Sequence, residues 1–167
     1  MEMTHGRELP RLLRAAYFGM HRISDAHFAS HGVTADQFVV LACLAEQNAI
    51  MQKDLARLAC SDPSTTGAML VLLEGRGLVA RARNPDDSRA RLVTLAPKGR
   101  RLFDRLWRTS EPIRVQMLVG FSADEAGLLV GYLRRLIENT SAVKGRRERQ
   151  RAKPASTGAA GSGKQIP

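Results

Sequence analysis

Few side chains in this sequence are arranged for covalent chemistry. The four histidines, His5, His21, His27 and His31, all lie near the N-terminus, with no candidate nucleophile beside them. His27 and His31 are at i, i+4 and could share a metal across one helical face. They read better as interface packing and a helix-end residue. Cys43 and Cys60 form no C-x-x-C pair and no disulfide framework. One falls in an apolar helix and the other in a turn, which suits inert packing more than redox sensing. No phosphate loop, nucleophile–base pair or metal signature is present. The expected chemistry is recognition, not catalysis, with no cofactor and no metal.

What is to be recognised follows from charge. The 167 residues carry a net charge of +10. Such a balance points to an anionic partner, nucleic acid or a membrane surface, and says nothing of fold. From Ala142 onward seven Lys/Arg and a single Glu supply +6 of that charge. They sit beside PASTGAAGSGKQIP, whose composition reads as a disordered tail with no apolar face to insert into lipid. The tail could add nonspecific DNA affinity by counterion release. No run reaches the ~18 apolar residues of a spanning helix, and MEMTHGRELPR has no signal-peptide core. A cytoplasmic protein with no membrane partner is expected. A second charged feature stands at Asn84 to Arg100, NPDDSRARLVTLAPKGR, where Asp86, Asp87 and Arg89 occupy a tip between two strand-like runs.

The elements that must position these residues are mostly helices. Leu9, Leu12, Leu13, Ala16, Met20, Ile23 and His27 recur at helical spacing, so a long amphipathic helix is predicted from Glu8 to about Ser30, stopped at His31-Gly32. Thr34 and Gln37 form a capping box before Phe38 to Ala45, an apolar helix that should be buried. A short helix, Gln52 to Ala59, precedes a three-residue gap. Asp62 can cap the next helix, with Pro63 in its first turn, and that helix ends at Gly75-Arg76-Gly77. Leu78 to Arg83 and Ala90 to Leu95 are strand candidates. Pro97 opens a helix to about Leu118, bent or interrupted at Pro112. Ser122 and Glu125 cap a last helix with a stripe from Leu128 to Ile137.

Two short helices on a tight turn, then a hairpin, make a winged helix-turn-helix. The ordered series is Thr34-x-x-Gln37-Phe38, Asp54-Leu55-Ala56, Asp62-Pro63-Ser64-Thr65, Leu73-Glu74-x-x-Gly77-Leu78-Val79-x-Arg81, Asp87-x-Arg89, Leu92-Val93-x-Leu95 and Gly99. Phe121-Ser122-x-x-Glu125 follows. This series resembles the MarR family of bacterial transcription regulators over roughly residues 8 to 140. The resemblance implies a mainly α fold with a small β-hairpin wing. It implies one domain over 1–141, with the reading head at about 34–96 and dimerisation helices at about 8–30 and 97–141. Residues 142–167 would be the basic disordered tail.

By the same resemblance, the chain is a ligand-responsive repressor that binds a pseudo-palindromic operator as a homodimer. Arg89 would reach the minor groove or its phosphates, braced by Asp87, with Asp86 in turn chemistry. Lys53, Arg57 and Arg76 are candidates for backbone contacts, and Ser64, Thr65 and Thr66 for base edges. The recognition helix departs from many relatives in its apolar run of Gly67, Ala68, Leu70, Val71 and Leu72. Phosphate contacts and shape readout should then carry an unusual share of binding. Leu72 suggests a helix more buried than usual. The family's effector pocket would be lined here by Arg14, Tyr17, His21, Arg22 and Phe38. Rings beside an arginine suit an aromatic acid or phenol. Two alternatives stand: an architectural helix-turn-helix protein without small-molecule control, and a redox-sensing regulator.

Overall fold

A computed structural model describes residues 6–85, 87 and 90–152, without the side chains of 142–152. Asp86, Arg89 and the segment after Ala152 lie outside the described residues. The chain divides into two units, one up to Val119 and one from Gly120.

The first unit begins with helix α1, Glu8–Ala29, which ends where Gly32 takes φ +69°. Helix α2, Ala35–Glu46, starts at the anticipated capping box: Gln37 N–H donates to Thr34 Oγ1 (3.1 Å) and Thr34 N–H to Gln37 Oε1 (3.2 Å). Strand β1, Ile50–Met51, leads into α3, Gln52–Leu58, and α4, Pro63–Gly75. Gly77, at φ +68°, closes α4. There the Leu78 N–H reaches back to the Leu73 carbonyl (2.9 Å). Both side chains of that closure are buried, as this helix-ending motif favours.

Strands β2, Val79–Arg83, and β3, Arg91–Leu95, form an antiparallel hairpin. The sheet order is β1-β3-β2, with Ile50 opposite Val93. The two-residue strand β1 was not foreseen from the sequence. It stitches the approach to α3 onto the inner strand of the wing, and Asn48 Oδ1 extends the seam by accepting from Leu95 N–H (2.9 Å).

Helix α5, Pro97–Thr109, starts against the root of the wing. The Leu78 carbonyl accepts from Ala96 N–H (3.0 Å), and Gly99 lies directly on that carbonyl. The expected interruption near Pro112 is present. Helix α5 ends at Ser110, and α6, Glu111–Met117, begins anew with Pro112 in its first turn. Proline has no N–H and its ring would strike the carbonyl four residues back, so one continuous helix is disfavoured.

The core gathers Val40, Leu41 and Leu44 of α2, Leu55 of α3, Leu70 and Leu73 of α4, Val93 of β3 and Leu106 of α5. Each is essentially inaccessible to water, a burial worth about 1.5–3 kcal/mol per side chain. Beside it an aromatic ladder crosses three helices. Phe28 stacks on Phe38 (centroids 4.3 Å apart), Phe38 on Phe103 (5.7 Å), and Phe103 meets Trp107 at 6.0 Å.

The second unit is helix α7, Ala123–Ala152, opened by the anticipated capping box: Ser122 N–H donates to Glu125 Oε2 (2.8 Å), and Glu125 N–H to Ser122 Oγ (3.3 Å). The helical backbone continues to Ala152. The first eleven residues of the stretch read from composition as a tail, 142–152, thus have a helical backbone. Apart from Val143 and Gly145, the residues from Ala142 to Ala152 are Ala, Lys, Arg, Glu and Gln, all good helix formers, and only the following stretch has the Gly/Ser composition of a linker.

Candidate nucleic-acid interface and effector cleft

The turn between α3 and α4 is tightly specified. Cys60 adopts φ +51°, a left-handed position usually given to glycine. Its N–H bonds the Arg57 carbonyl (3.1 Å), and Ser61 N–H bonds that of Ala56 (3.0 Å). Asp62 then caps α4, accepting from the amides of Ser64 and Thr65 at 2.9 Å each and from the Thr65 hydroxyl. The Thr65 hydroxyl, then these amides, hold the Asp62 carboxyl below its ordinary range.

Side chains of α4 divide into two faces. Thr66, Met69, Leu70 and Leu73 point into the core. Ser64, Thr65, Ala68, Val71 and Leu72 are exposed. Thr66 is thus no base reader: its side chain is 0% exposed, and its Oγ1 finds no hydrogen-bond partner among the described residues. Periodicity four and seven residues before Leu70 and Leu73 would have placed it on the core face. Replacing it with valine removes a buried unpaired hydroxyl at constant shape. Thr66→Val should raise unfolding stability by about 1 kcal/mol, measured by urea denaturation at fixed protein concentration, with DNA binding unchanged.

The expected burial of Leu72 is also not found. Val71 and Leu72 are 56% and 60% exposed. The α4 sequence is apolar on both faces, and packing uses only one.

Lys53 and Asp87 come together, lining a hollow of about 470 Å³ between the start of α3, the start of α4 and the wing. Arg91, not singled out from the sequence, lines it too. Arg57 is exposed and within 3.3 Å of the Asp54 carboxylate. Arg76 is placed differently from the expectation of a backbone contact. Its guanidinium donates to the Gly32 carbonyl, with the His31 carbonyl at 3.5 Å. It joins the end of α4 to the corner after α1.

A buttress links α4 to the wing. Arg81 Nε donates to Glu74 Oε2 (2.8 Å), and the Arg81 amide to Glu74 Oε1 (3.1 Å). The Arg81 hydrogen bond, ahead of charge effects from Arg81 and Arg91, holds the Glu74 carboxyl below its usual value. A depressed carboxyl contributes stability above its unfolded pKa of about 4.3 and loses it as pH falls through the lower folded value. Glu74→Gln should therefore cost about 1 kcal/mol at pH 7, limited by solvent at this partly exposed pair. The difference from wild type should close as denaturation is repeated below about pH 4.

A second concavity, of about 200 Å³, opens between α1, α2, α5 and α6. Tyr17, His21 and Phe38 line it, with Phe28 and Trp107 completing an aromatic wall. Arg14 and Arg22 are not among its lining residues. Arg14 instead lies over the Phe18 ring, 4.8 Å from its centroid. The cation at the cleft is Arg114. It lies 4.2 Å over the Trp107 ring and donates from one nitrogen to the Trp107 carbonyl (2.8 Å) and Ser110 Oγ (2.7 Å). His21 bridges Asp36 (3.3 Å) and Asp25 (3.7 Å) on the opposite side. His27 lies apart, its Nε2 3.1 Å from Thr109 Oγ1, and His31 Nδ1 is 2.9 Å from Ser30 Oγ. Among the described residues no cluster of three or more metal-ligating side chains is found.

The MarR family model matches residues 33–90, from the corner before α2 through the wing. The homoprotocatechuate degradative operon repressor of Escherichia coli is 32% identical over 108 residues, covering 64% of this chain and 72% of the relative. The chain belongs to the MarR family. A further relative, the HTH-type transcriptional regulator YdgJ of Bacillus subtilis, is 29% identical over 127 residues, covering 75% of this chain and 77% of that one. The solved structure of Bordetella bronchiseptica BpsR is 32% identical with a TM-score of 0.71, over 77% of this chain and 98% of that one. That structure concerns regulation of BpsR DNA binding by 6-hydroxynicotinic acid. As a MarR protein this chain is a DNA-binding transcription regulator and not an enzyme. Among the described residues no helix is long and apolar enough to cross a membrane.

Proposed function

We propose that this MarR protein is a repressor that binds a pseudo-palindromic operator as a homodimer and releases it when an aromatic carboxylate fills the cleft. The observation that carries the reading is Arg114, fixed over Trp107 at the edge of an aromatic-walled cavity. A ring would pack against the wall while the guanidinium pairs the carboxylate in its plane. Occupancy of a space between α1, α2, α5 and α6 changes their packing, and a ligand favouring one packing shifts the population of DNA-competent heads. The relatives support both halves: one is named a repressor, and BpsR responds to an aromatic acid.

Exposed apolar surface on each unit supports the dimer. Leu9, Leu12, Phe18 and Ile23 on α1, and Leu128, Tyr132 and Ile137 on α7, are exposed apolar side chains. Apolar surface on this scale marks an interface. Two symmetric heads require half-sites about one helical turn apart. The redox alternative is disfavoured at Cys43, where burial and then the charge of Glu46 push the thiol upward and away from the reactive thiolate.

The test is selection of genomic fragments by the purified protein, followed by titration with 6-hydroxynicotinate and simple benzoates. Release from the selected fragment by an acid, but not by its amide, supports the reading. Tight fragment binding indifferent to every aromatic acid favours the architectural alternative.

A further inference from the structure

The exposed stripe of α4 is unusual in what it lacks. Ser64, Thr65, Ala68, Val71 and Leu72 fall at helical spacing on the face turned away from the core. None is Arg, Lys, Asn, Gln, Asp or Glu. The stripe has no bidentate partner for guanine O6/N7 or adenine N6/N7, and no carboxylate for cytosine N4. The Thr65 hydroxyl is already committed to Asp62. Beyond the Ser64 hydroxyl at the helix start, what remains is apolar surface, held open to solvent at a cost that core packing does not require, since the core side of α4 is filled by Met69, Leu70 and Leu73. One feature of the major groove matches such a surface: the C5-methyl of thymine. Exposed cations on the helix packed beside it, Lys53 and Arg57 of α3, are suited to the phosphates flanking the groove.

We infer that the α4 stripe selects thymine-rich half-sites by packing Ala68, Val71 and Leu72 against thymine methyl groups in the major groove. This rests on the reading that α4 is the helix entering the groove, and names what it reads there. Every base pair has polar groups that this surface would desolvate, and only the A·T pair offsets that cost with a methyl to pack against.

The experiment uses the fragment selected above, prepared with thymine or with deoxyuridine, which lacks only the C5-methyl. Burying one methyl is worth about fourfold in affinity, so a contact in each half-site predicts a preference for the thymine duplex on the order of tenfold. The Val71→Ala/Leu72→Ala variant keeps good helix formers at solvent-facing positions. Its preference should fall towards one, while the slope of its affinity with salt, set by phosphate contacts, stays as in wild type. Equal affinity of wild type for both duplexes overturns the inference and leaves regulator function standing. A preference undiminished in the double variant overturns it as well. If wild type selects no fragment over random DNA, the underlying reading fails first.

Discussion

Gly99→Ala should destabilise the protein by about 3–5 kcal/mol, at the upper end for a single added methyl. Helix propensity alone predicts the opposite sign, since alanine is favoured over glycine by about 1 kcal/mol within a helix. Sterics decide. A Cβ at Gly99 would overlap the Leu78 carbonyl oxygen outright and stand 2.9 Å from both the Leu78 carbonyl carbon and Leu95 Cδ1. The carbonyl cannot swing aside cheaply. It accepts from Ala96 N–H, and Leu78 N–H is itself bound to the end of α4. Moving it would shift α4, β2 and α5 together. Against a total stability of about 5–15 kcal/mol, such a loss leaves a marginal fold. Urea denaturation followed by circular dichroism at fixed protomer concentration measures it. A midpoint equal to or above wild type would show that α5 does not rest on Leu78.

Arg114→Gln should cut sensitivity to an aromatic carboxylate by about 30-fold or more, the usual result of removing one member of a partly desolvated charge pair. Affinity for DNA without effector should hardly change, because Arg114 lies on α6, apart from α3, α4 and the wing. Lysine should rescue poorly: it restores charge but not the flat stacking on Trp107 or the paired donors. Arg14→Gln should have little effect, since that guanidinium lies over Phe18 and outside the cleft lining. Dose–response curves for release of labelled operator distinguish the two. If Arg14→Gln abolishes the response and Arg114→Gln leaves it intact, the cation of the cleft has been misassigned.

The contrast between these two arginines shows where the sequence could be read and where it could not. Capping boxes are local: Thr34 and Gln37, or Ser122 and Glu125, are three positions apart, and both boxes form. The head was legible for the same reason, through Asp62, Pro63 and the Gly77 stop. Arg114 was hidden because its position depends on a new helix starting after Ser110, so its direction could not be projected from α5. Arg76 reaches a corner 44 residues earlier in the chain, a contact with no sequence periodicity. Strand β1 is two residues long, too short to alternate, and exists only because β3 offers it an edge. Thr66 was misjudged from its type: a hydroxyl beside other hydroxyls suggested base contact, whereas its spacing from Leu70 and Leu73 placed it inside.

The pairing of Ile50 with Val93 has a consequence for how such a protein could diversify. Because the inner wing strand is seamed to the chain ahead of α3, the root of the hairpin belongs to the core, and a one-residue slip there would turn Val93 out into water. The ladder that carries this register ends where Arg83 faces Arg91. Descendants could lengthen, shorten or recharge the loop beyond it while inheriting the same folded body. A change of loop length beyond that pair would leave the register of Val93, and with it this part of the core, as it is.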